Sequence, residues 1–559
     1  MEGWSDRFCP SCGFAVSCPD PSFPISLTPS LESYRQAPAQ PSNSEGRQYR
    51  HIPLASASEL RLLKLLPGEP SDDLRCEVFH ADVSATPQYE ALSYTWGSQR
   101  LTSCISINNR EFRVTENCRC ALHDLRERTA TRILWIDAIC VNQTDNEEKN
   151  DQIPLITRIY SQAQRALVYL GNERREKITQ LFDYLRRRDA SGNKAPHPTE
   201  LTEEQRIQLQ GELSWMLSLP WFTRVWVLQE VAVSRQSLVF LGGETLDWRL
   251  LSFGNIYSLD LNPVDKDGGI PRALQLSSDD KEPIKDLVSL LTVARSCLST
   301  DPRDKIYALL GIFKNNEKIH ISMDYNKPVQ ELYAEISWHV INTYGHLELL
   351  SDAEAGNSPR RWKGLSNDDL GFQPRLPSWI PDYSQHPRLR SLASWRPKQA
   401  GHEAVAHVCT PPGTDHLALK VSILETDKVA AKIPTGCDAG FWEAFGPQLE
   451  SSGHGANIDT LQSFATYRNL VSTEESFAIT PTEVGVGDVV CLIQGASVPF
   501  VLSPVDETQS TYKLAGECYL HGTKGPKHVD DYMELLGVYR TNFDCTDQRD
   551  LPWKEAYLV

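Results

Sequence analysis

One acidic side chain of this 559-residue chain lies where a carboxylate could take part in chemistry. Glu230 follows Trp226 by four residues, so the two share one face of a predicted helix that restarts after Pro220 with Thr223 as its cap. A carboxyl group beside an indole is shielded from water, which can raise its pKa. Glu230 is therefore a candidate functional residue, and pairing of its carboxylate with Arg224 is the structural alternative.

A second set of polar residues follows a predicted strand. The apolar run Ile133–Ile139, interrupted at Asp137, predicts a buried strand, and Asn142 and Gln143 come shortly after it. Open α/β sheets bind ligands at the carboxyl ends of their strands. Asp137, Asn142 and Gln143 are therefore candidate ligand contacts; the structural alternative is that they cap a loop or bond backbone amides.

The preceding segments predict further strands of the same domain. Residues 60–66 and 74–79 are candidate strands, and Tyr89–Gly97 is an alternating aromatic and apolar run that ends in a tight turn. A hairpin is expected around Asn108 and Asn109, because asparagine tolerates the backbone conformation of a tight turn.

Helices should form the crossover connections between these strands. Thr115 can cap one helix, and an apolar face from Ile153 to Ala163 predicts a second helix before a strand that ends near Leu170. The buried residues expected on the first helix are Cys118, Ala121, Leu122 and Leu125. Because right-handed crossovers join parallel strands, the strands ending near Trp96, Ile139 and Leu170 should lie side by side and parallel. The second helix should cover one face.

Composition and pattern divide the chain into five regions. Residues 1–50 are rich in Cys, Pro and Ser and should be disordered, and residues 51–245 form the α/β domain. Helical patterns predominate over 246–350, a loop-rich linker follows over 351–404, and short strands predict a small β-rich module over 405–559. The predicted fold class is therefore an α/β parallel sheet flanked by helices, followed by a helical region and a small C-terminal β-rich module.

Bulk composition argues against several functions. The formal net charge of −17 disfavours nucleic acid as a partner. No apolar run approaches the ~20 residues of a membrane span, and no signal pattern opens the sequence, so a cytoplasmic protein is expected. The 14 cysteines lack framework spacing, as in a reducing compartment. Cys9, Cys12 and Cys18 should bind no structural metal, because a closed zinc site needs four ligands and only three are local.

Three blocks in fixed order resemble the fungal heterokaryon-incompatibility (HET) domain family. They are Ala91-Leu-Ser-Tyr-Thr-Trp-Gly97, Leu134–Gln143 with Asp145 and Glu148, and Arg224-Val-Trp-Val-Leu-Gln-Glu230. Four later segments are similar to elements that follow the domain in many members: residues 301–311, 376–382, 487–491 and 498–501. The resemblance implies a role in fungal non-self recognition, a form of innate immunity in which the domain triggers programmed cell death.

The HET family is more distantly similar to Toll-receptor-type (TIR) domains, which implies a TIR-like sheet. In enzymatic TIR members the glutamate of a Trp-Cys-x-x-Glu motif supports cleavage of the nicotinamide glycosidic bond of NAD, and Glu230 holds that position. NAD would then be a substrate, and no resident cofactor is expected. Val227 replaces the cysteine of the motif, which leaves the pocket shape and the substrate open. The residues expected to contact a substrate are Tyr94, Trp96, Gly97, Asp137, Asn142, Gln143 and Trp226.

Two classes of function remain open from the sequence. As catalytic residue, Glu230 could stabilise the positive charge that develops on ribose when the bond to nicotinamide breaks. The alternative is a non-enzymatic adaptor that self-associates or binds another incompatibility or signalling protein. A buried Glu230 with a structural partner would favour the adaptor, whereas a cleft that holds Glu230, Tyr94 and Asn142 together would favour the enzyme.

Overall fold

The computed structural model describes residues 48–98, 100–173, 176–190, 201–251, 274, 287–313, 321–345, 347–353, 376–385, 406–409, 417–433, 468–474, 477–496, 498–506, 508, 510–521 and 553–559. The expectations for Cys9, Cys12 and Cys18, and for most of the 351–404 linker, lie outside the described residues.

A nine-stranded sheet organises the first half of the described chain. Its strands are Glu59–Leu65 (β1), Arg75–Asp82 (β2), Glu90–Tyr94 (β3), Ser103–Ile107 (β4), Arg110–Val114 (β5), Arg132–Trp135 (β6), Ala166–Gly171 (β7), Ser237–Leu241 (β8) and Glu244–Asp247 (β9). Their spatial order is β5, β4, β2, β1, β6, β3, β7, β8 and β9.

The centre of this sheet confirms the predicted parallel strands. β6 and β7 both pair in parallel with β3, and β8 continues the parallel set beside β7. The whole sheet is mixed, however, and not parallel as predicted. The hairpin of β1 and β2 joins β6 in the antiparallel direction, and β9 returns antiparallel to β8 at the other edge.

Helices pack against this sheet. They are Glu116–Leu125 (α1), Asp137–Cys140 (α2), Asn146–Gln152 (α3), Ile156–Gln162 (α4), Glu176–Ala190 (α5), Glu203–Leu217 (α6) and Trp226–Val233 (α7). Thr115 caps α1 as predicted, and the predicted face of Cys118, Ala121, Leu122 and Leu125 is buried. The expected hairpin joins β4 to β5, with Asn108 and Asn109 at positive φ. Among the described residues, no helix combines the length and the apolarity needed to cross a membrane.

The strand predicted over Ile133–Ile139 ends earlier than expected. β6 stops at Trp135, and the chain then turns into the short helix α2, where the Cys140 amide donates to the Ile136 carbonyl (2.7 Å). The apolar side chains are buried in the helical turn as they would be in a strand, so apolarity alone could not mark the strand end. The helix predicted from Ile153 to Ala163 is likewise divided into a 3-10 turn and α4.

A helical layer follows the sheet, as predicted. Its helices are Leu287–Arg295 (α8), Asp304–Leu310 (α9) and Val329–Tyr344 (α10). One hydrophobic cluster joins residues of α5 to α7, this layer and the C-terminal strands. The predicted cap of α7 is wrong: the Thr223 hydroxyl donates to the Pro220 carbonyl (2.8 Å) within a 3-10 turn, and Val225 precedes the helix. Pro220 favours that separate turn because its fixed φ suits the start of a helical turn.

The C-terminal part is a second sheet, in agreement with the predicted β-rich module. Its strands are His407–Cys409 (β10), Ala418–Lys432 (β11), Asn469–Thr473 (β12), Phe477–Thr480 (β13), Val489–Ile493 (β14), Phe500–Asp506 (β15), Thr511–Glu517 (β16), Tyr519–His521 (β17) and Lys554–Leu558 (β18). Both β14 and β18 pair with the long strand β11, so β11, β14, β15, β16 and β18 close into a ring.

Candidate functional site

The carboxyl ends of β3 and β7 lie at a switch point of the sheet. The chain leaves β3 to reach β6 on one side, and it leaves β7 to reach β8 on the other side. The connections therefore diverge, and α/β sheets bind their ligands in the crevice that such a divergence creates. β6 is the second neighbour of β3, and the residues after β3 and β6 are the predicted Trp96, Gly97, Asp137, Asn142 and Gln143.

Asp137 is the centre of the contacts among the residues that follow β3 and β6. Its carboxyl group accepts from Trp96 Nε1 (2.9 Å) and from the Ala138 amide (2.7 Å), and its carbonyl accepts from Gln143 Nε2 (2.8 Å). Gly97 follows with a φ of +69°, a conformation that glycine adopts without strain. Burial raises the pKa of Asp137. Trp96, Gly97, Asp137 and Gln143 thus form one connected edge.

Asn142 joins this edge through its backbone. Its amide donates to Glu148 Oε1 (2.7 Å), and the same carboxylate accepts from both terminal nitrogens of Arg61 (2.6 and 2.9 Å). Arg61 also donates to the Cys140 carbonyl (3.0 Å), so it ties β1 to the α2 turn. Sequence reasoning missed Arg61, although a single arginine inside an apolar strand pattern was its signal, because a buried charge requires a partner.

Glu230 lies against β3 and α4. It is 7% exposed, and its carboxyl group accepts from the Ser93 hydroxyl of β3. Ser93 in turn accepts from Trp221 Nε1 (2.8 Å). The Tyr160 hydroxyl of α4 donates to the Leu92 carbonyl (2.9 Å) and lies close enough to the Glu230 carboxyl group to lower its pKa. Sequence reasoning missed Ser93, Trp221 and Tyr160. The signal for Ser93 was a polar residue in the middle of a buried strand, which must find a hydrogen-bond partner.

Two carboxyl groups and one guanidinium group share this region. Burial raises the pKa of Glu230 from 4.5 to about 7; the positive charge of Arg224 opposes that rise, and the negative charge of Asp137 adds to it. Arg224 itself donates to the Tyr94 carbonyl. One guanidinium cannot neutralise two carboxylates, so Arg224 and Asp137 act on the pKa of Glu230 in opposite directions while burial raises it.

Tyr94 and Trp226 have partners other than Glu230. Successive residues of a strand face opposite sides of a sheet, so Tyr94 faces away from the side on which Ser93 meets Glu230. The Tyr94 hydroxyl lies beside the Cys118 thiol of α1, and the residue is 2% exposed. The Trp226 indole lies beside Asp304 of α9 and lowers the pKa of that carboxyl group. The structure therefore does not gather Tyr94, Asn142 and Glu230 in one cleft.

A separate cleft of about 300 Å³ lies at the carboxyl ends of β7 and β8. It is lined by Arg119, Cys120, His123, Asp124, Asn172 and Gly243. None of the residues predicted to contact a substrate is among them. In the described part of the chain, no cluster of His, Cys, Asp and Glu side chains is arranged to hold a metal ion.

Comparisons with known families identify the domain that contains this site. The family described as "Heterokaryon incompatibility protein (HET)" matches residues 89–230, a span that begins just before β3 and ends at Glu230. The family described as "Het-6 beta-barrel domain" matches residues 442–528, which include β12 to β17. The chain contains a HET domain. The HET match thus includes the switch point, Ser93, Tyr160 and the buried carboxyl group.

Relatives of this HET protein are fungal incompatibility proteins. It is 27% identical over 409 residues to the Heterokaryon incompatibility protein 6, OR allele, of Neurospora crassa, which covers 60% of this chain and 59% of that protein. It is 24% identical over 253 residues to the Vegetative incompatibility protein HET-E-1 of Podospora anserina, which covers 43% of this chain and 15% of that protein. The matches thus span less than two thirds of each relative. No solved structure matches the chain significantly.

Proposed function

We propose that this HET protein is an effector of fungal non-self recognition whose HET domain triggers programmed cell death. The HET match over residues 89–230 and the incompatibility proteins among its relatives support this role. Its proposed partners are other incompatibility or signalling proteins, or further copies of the chain, in the cytoplasm.

The proposed mechanism is cleavage of NAD or a related nucleotide by a TIR-like domain with Glu230 as the catalytic residue. The observation that carries it is the environment of Glu230: burial raises its pKa to about 7 beside the carboxyl ends of β3 and β6. A carboxyl group that changes its charge near neutral pH is suited to acid–base chemistry. The edge around Asp137 would then contact the nucleotide.

A non-enzymatic adaptor is the second candidate, and one observation favours it. Glu230 is buried, accepts a hydrogen bond from Ser93 and lies beside Tyr160, as a structural residue would. Catalysis therefore requires α7 to shift so that a substrate reaches the carboxyl group. An adaptor requires no such opening.

Nicotinamide release from NAD and, separately, from NADP distinguishes the two mechanisms. The purified full chain is compared with Glu230→Gln and with Glu204→Gln, a control on the exposed side of α6. The enzymatic mechanism predicts release by the wild type and the control, and a loss of at least ~100-fold in Glu230→Gln. Unchanged release by Glu230→Gln would contradict a catalytic Glu230, and no release by the wild type would favour the adaptor.

A further inference from the structure

We propose that the cleft between α1 and the carboxyl ends of β7 and β8 binds a small ligand that carries a phosphate group and sugar hydroxyls. The phosphoribosyl unit, which nucleoside monophosphates and sugar phosphates share, has this chemistry. The cleft lies apart from Glu230, and binding there does not depend on the proposed enzymatic function.

The cleft lies in the crevice at the switch point of the sheet. The connection from β3 to β6 contains α1, and the connection from β7 to β8 begins at Asn172. These connections diverge, because β6 and β8 lie on opposite sides of the pair of strands β3 and β7. Four residues of α1 line the cleft from the first connection, and Asn172 lines it from the second. The cleft therefore occupies the place where open α/β sheets bind their ligands.

The cleft is on the face of the sheet opposite to Glu230. Tyr94 of β3 and Tyr169 of β7 are paired in neighbouring parallel strands, so their side chains point to the same face. The Tyr169 hydroxyl donates to Oδ2 of the lining residue Asp124 (2.8 Å). Ser93, which donates to Glu230, precedes Tyr94 and points to the other face. The cleft is therefore separate from the contacts around Glu230.

The size of the cleft and its open backbone suit a small ligand. Its volume of about 300 Å³ is at the lower end of the range for ligand pockets. Gly243 lines it from the turn after β8, with a φ of +89°. A Cβ added at Gly243 would meet nothing within 4 Å, so a ligand can approach the backbone of this turn.

Arg119 and Asn172 supply hydrogen-bond donors for a phosphate group. Arg119 donates to Glu116 through Nε (3.2 Å) and Nη2 (2.6 Å), and its Nη1 has no hydrogen-bond partner among the described residues. Guanidinium groups bind phosphate oxygens through such N–H donors. The exposed side-chain amide of Asn172 lines the cleft from the facing connection. A phosphate group can thus be held from both sides of the crevice.

Asp124 supplies an acceptor for sugar hydroxyls. Its Oδ2 accepts from Tyr169, and its Oδ1 lies 3.2 Å from His123 Nδ1. These contacts fix the carboxylate, which is 27% exposed and keeps lone pairs for further donors. Asp124 follows Arg119 by five residues, about 7.5 Å along the axis of α1. A phosphate group at Arg119 is therefore kept away from the Asp124 carboxylate, and a hydroxyl group of the same ligand can reach it.

Calorimetric titration of the purified full chain tests the ligand class. The probes are adenosine monophosphate, ribose 5-phosphate and adenosine. Both phosphorylated probes should bind, and adenosine should bind at least ~10-fold more weakly because it lacks the phosphate group. Tighter binding of adenosine monophosphate than of ribose 5-phosphate supports a nucleotide as the source, and equal binding supports recognition of the phosphoribosyl unit alone. Binding of neither phosphorylated probe, or equal binding of adenosine, overturns the proposal.

Two substitutions in one ion pair assign the binding to the guanidinium group. Arg119→Gln should weaken binding of adenosine monophosphate at least ~10-fold, whereas Glu116→Gln should tighten it by removing the competing carboxylate. Both variants break the same exposed pair, so a structural effect would change binding in the same direction, and that result would contradict the proposal. Arg206→Gln is the matched control, because Arg206 pairs with Glu203 at the same spacing on α6. Its binding should equal that of the wild type.

The thiol of Cys120 reports whether the ligand occupies this cleft. Cys120 lines the cleft, whereas the exposed Cys104 of β4 is outside it. Alkylation by iodoacetamide is followed at both thiols by mass spectrometry, with and without saturating adenosine monophosphate. The nucleotide should slow modification of Cys120 at least ~5-fold and leave that of Cys104 unchanged. An unchanged rate at Cys120 under conditions where calorimetry shows binding would place the ligand elsewhere and overturn the proposal.

Discussion

Arg61 and Glu148 form a buried ion pair that joins strand β1 to the first turn of helix α3. The two contacts between guanidinium and carboxylate are 2.6 and 2.9 Å, and the side chains are 0% and 9% exposed. The same carboxylate holds the amide of Asn142. The edge of the sheet that carries Asp137 is therefore anchored by a pair of charges removed from water.

Glu148→Gln should destabilise the domain strongly. The substitution leaves the Arg61 charge buried without its anion, which typically costs about 3–5 kcal/mol of unfolding free energy. Glu116→Gln is the matched control, because Glu116 pairs with Arg119 on the surface, where an ion pair contributes at most about 1 kcal/mol. Urea denaturation measures both variants. Equal effects of the two substitutions would show that the buried pair has no special role.

Gly311→Ala should destabilise the protein by disturbing the packing of α9 against α4 and α7. An added Cβ would lie 2.6 Å from the side-chain amide of Gln229, closer than real Cβ contacts, and would also collide with Thr157. The expected loss is about 1–3 kcal/mol. Gly211→Ala is the control: its Cβ meets nothing within 4 Å on the exposed side of α6, so it should stabilise the protein by about 0.5–1 kcal/mol. A Gly311→Ala protein as stable as the wild type would contradict this packing.

The stability gained by Glu230→Gln should depend on pH. Burial raises the pKa of Glu230 from 4.5 to about 7, so the stabilisation that its proton gives the folded state is fully present below about pH 4.5 and is lost as the pH rises through about 7. Glutamine does not titrate. The stability of Glu230→Gln relative to the wild type should therefore increase by up to ~3 kcal/mol between about pH 4.5 and pH 8. A difference that stays constant with pH, as expected for Glu204→Gln, would show that Glu230 does not titrate in this range.

The sequence was sufficient to predict the centre of the sheet. Apolar runs separated by helical patterns allow only parallel neighbours joined by crossovers, and β6, β3 and β7 follow that rule. The Thr115 cap and the buried face of α1 also followed from local spacing. The mixed outer strands did not, because pairing at the edges depends on contacts between distant segments that no local pattern specifies.

The candidate site was predictable in part. The spacing of Asp137 and Gln143 placed both residues correctly at a strand end, where they now share a hydrogen bond. The partners of Glu230 were not predictable, because Ser93 and Tyr160 come from segments 137 and 70 residues away in sequence. Spacing on a helix also suggested an indole next to Glu230, but the Trp226 indole lies beside Asp304, a carboxyl group supplied by the later helical layer.

The most direct test of a functional Glu230 in this HET protein is cell death on expression in a fungal host. Wild type, Glu230→Gln and Glu204→Gln are expressed to matched protein levels, and cell viability is measured beside thermal melts of the purified proteins. Wild type and Glu204→Gln should kill the cells, and Glu230→Gln should not, with a melting temperature no lower than that of the wild type. Killing by Glu230→Gln equal to that by the wild type at the same protein level would contradict the proposed role.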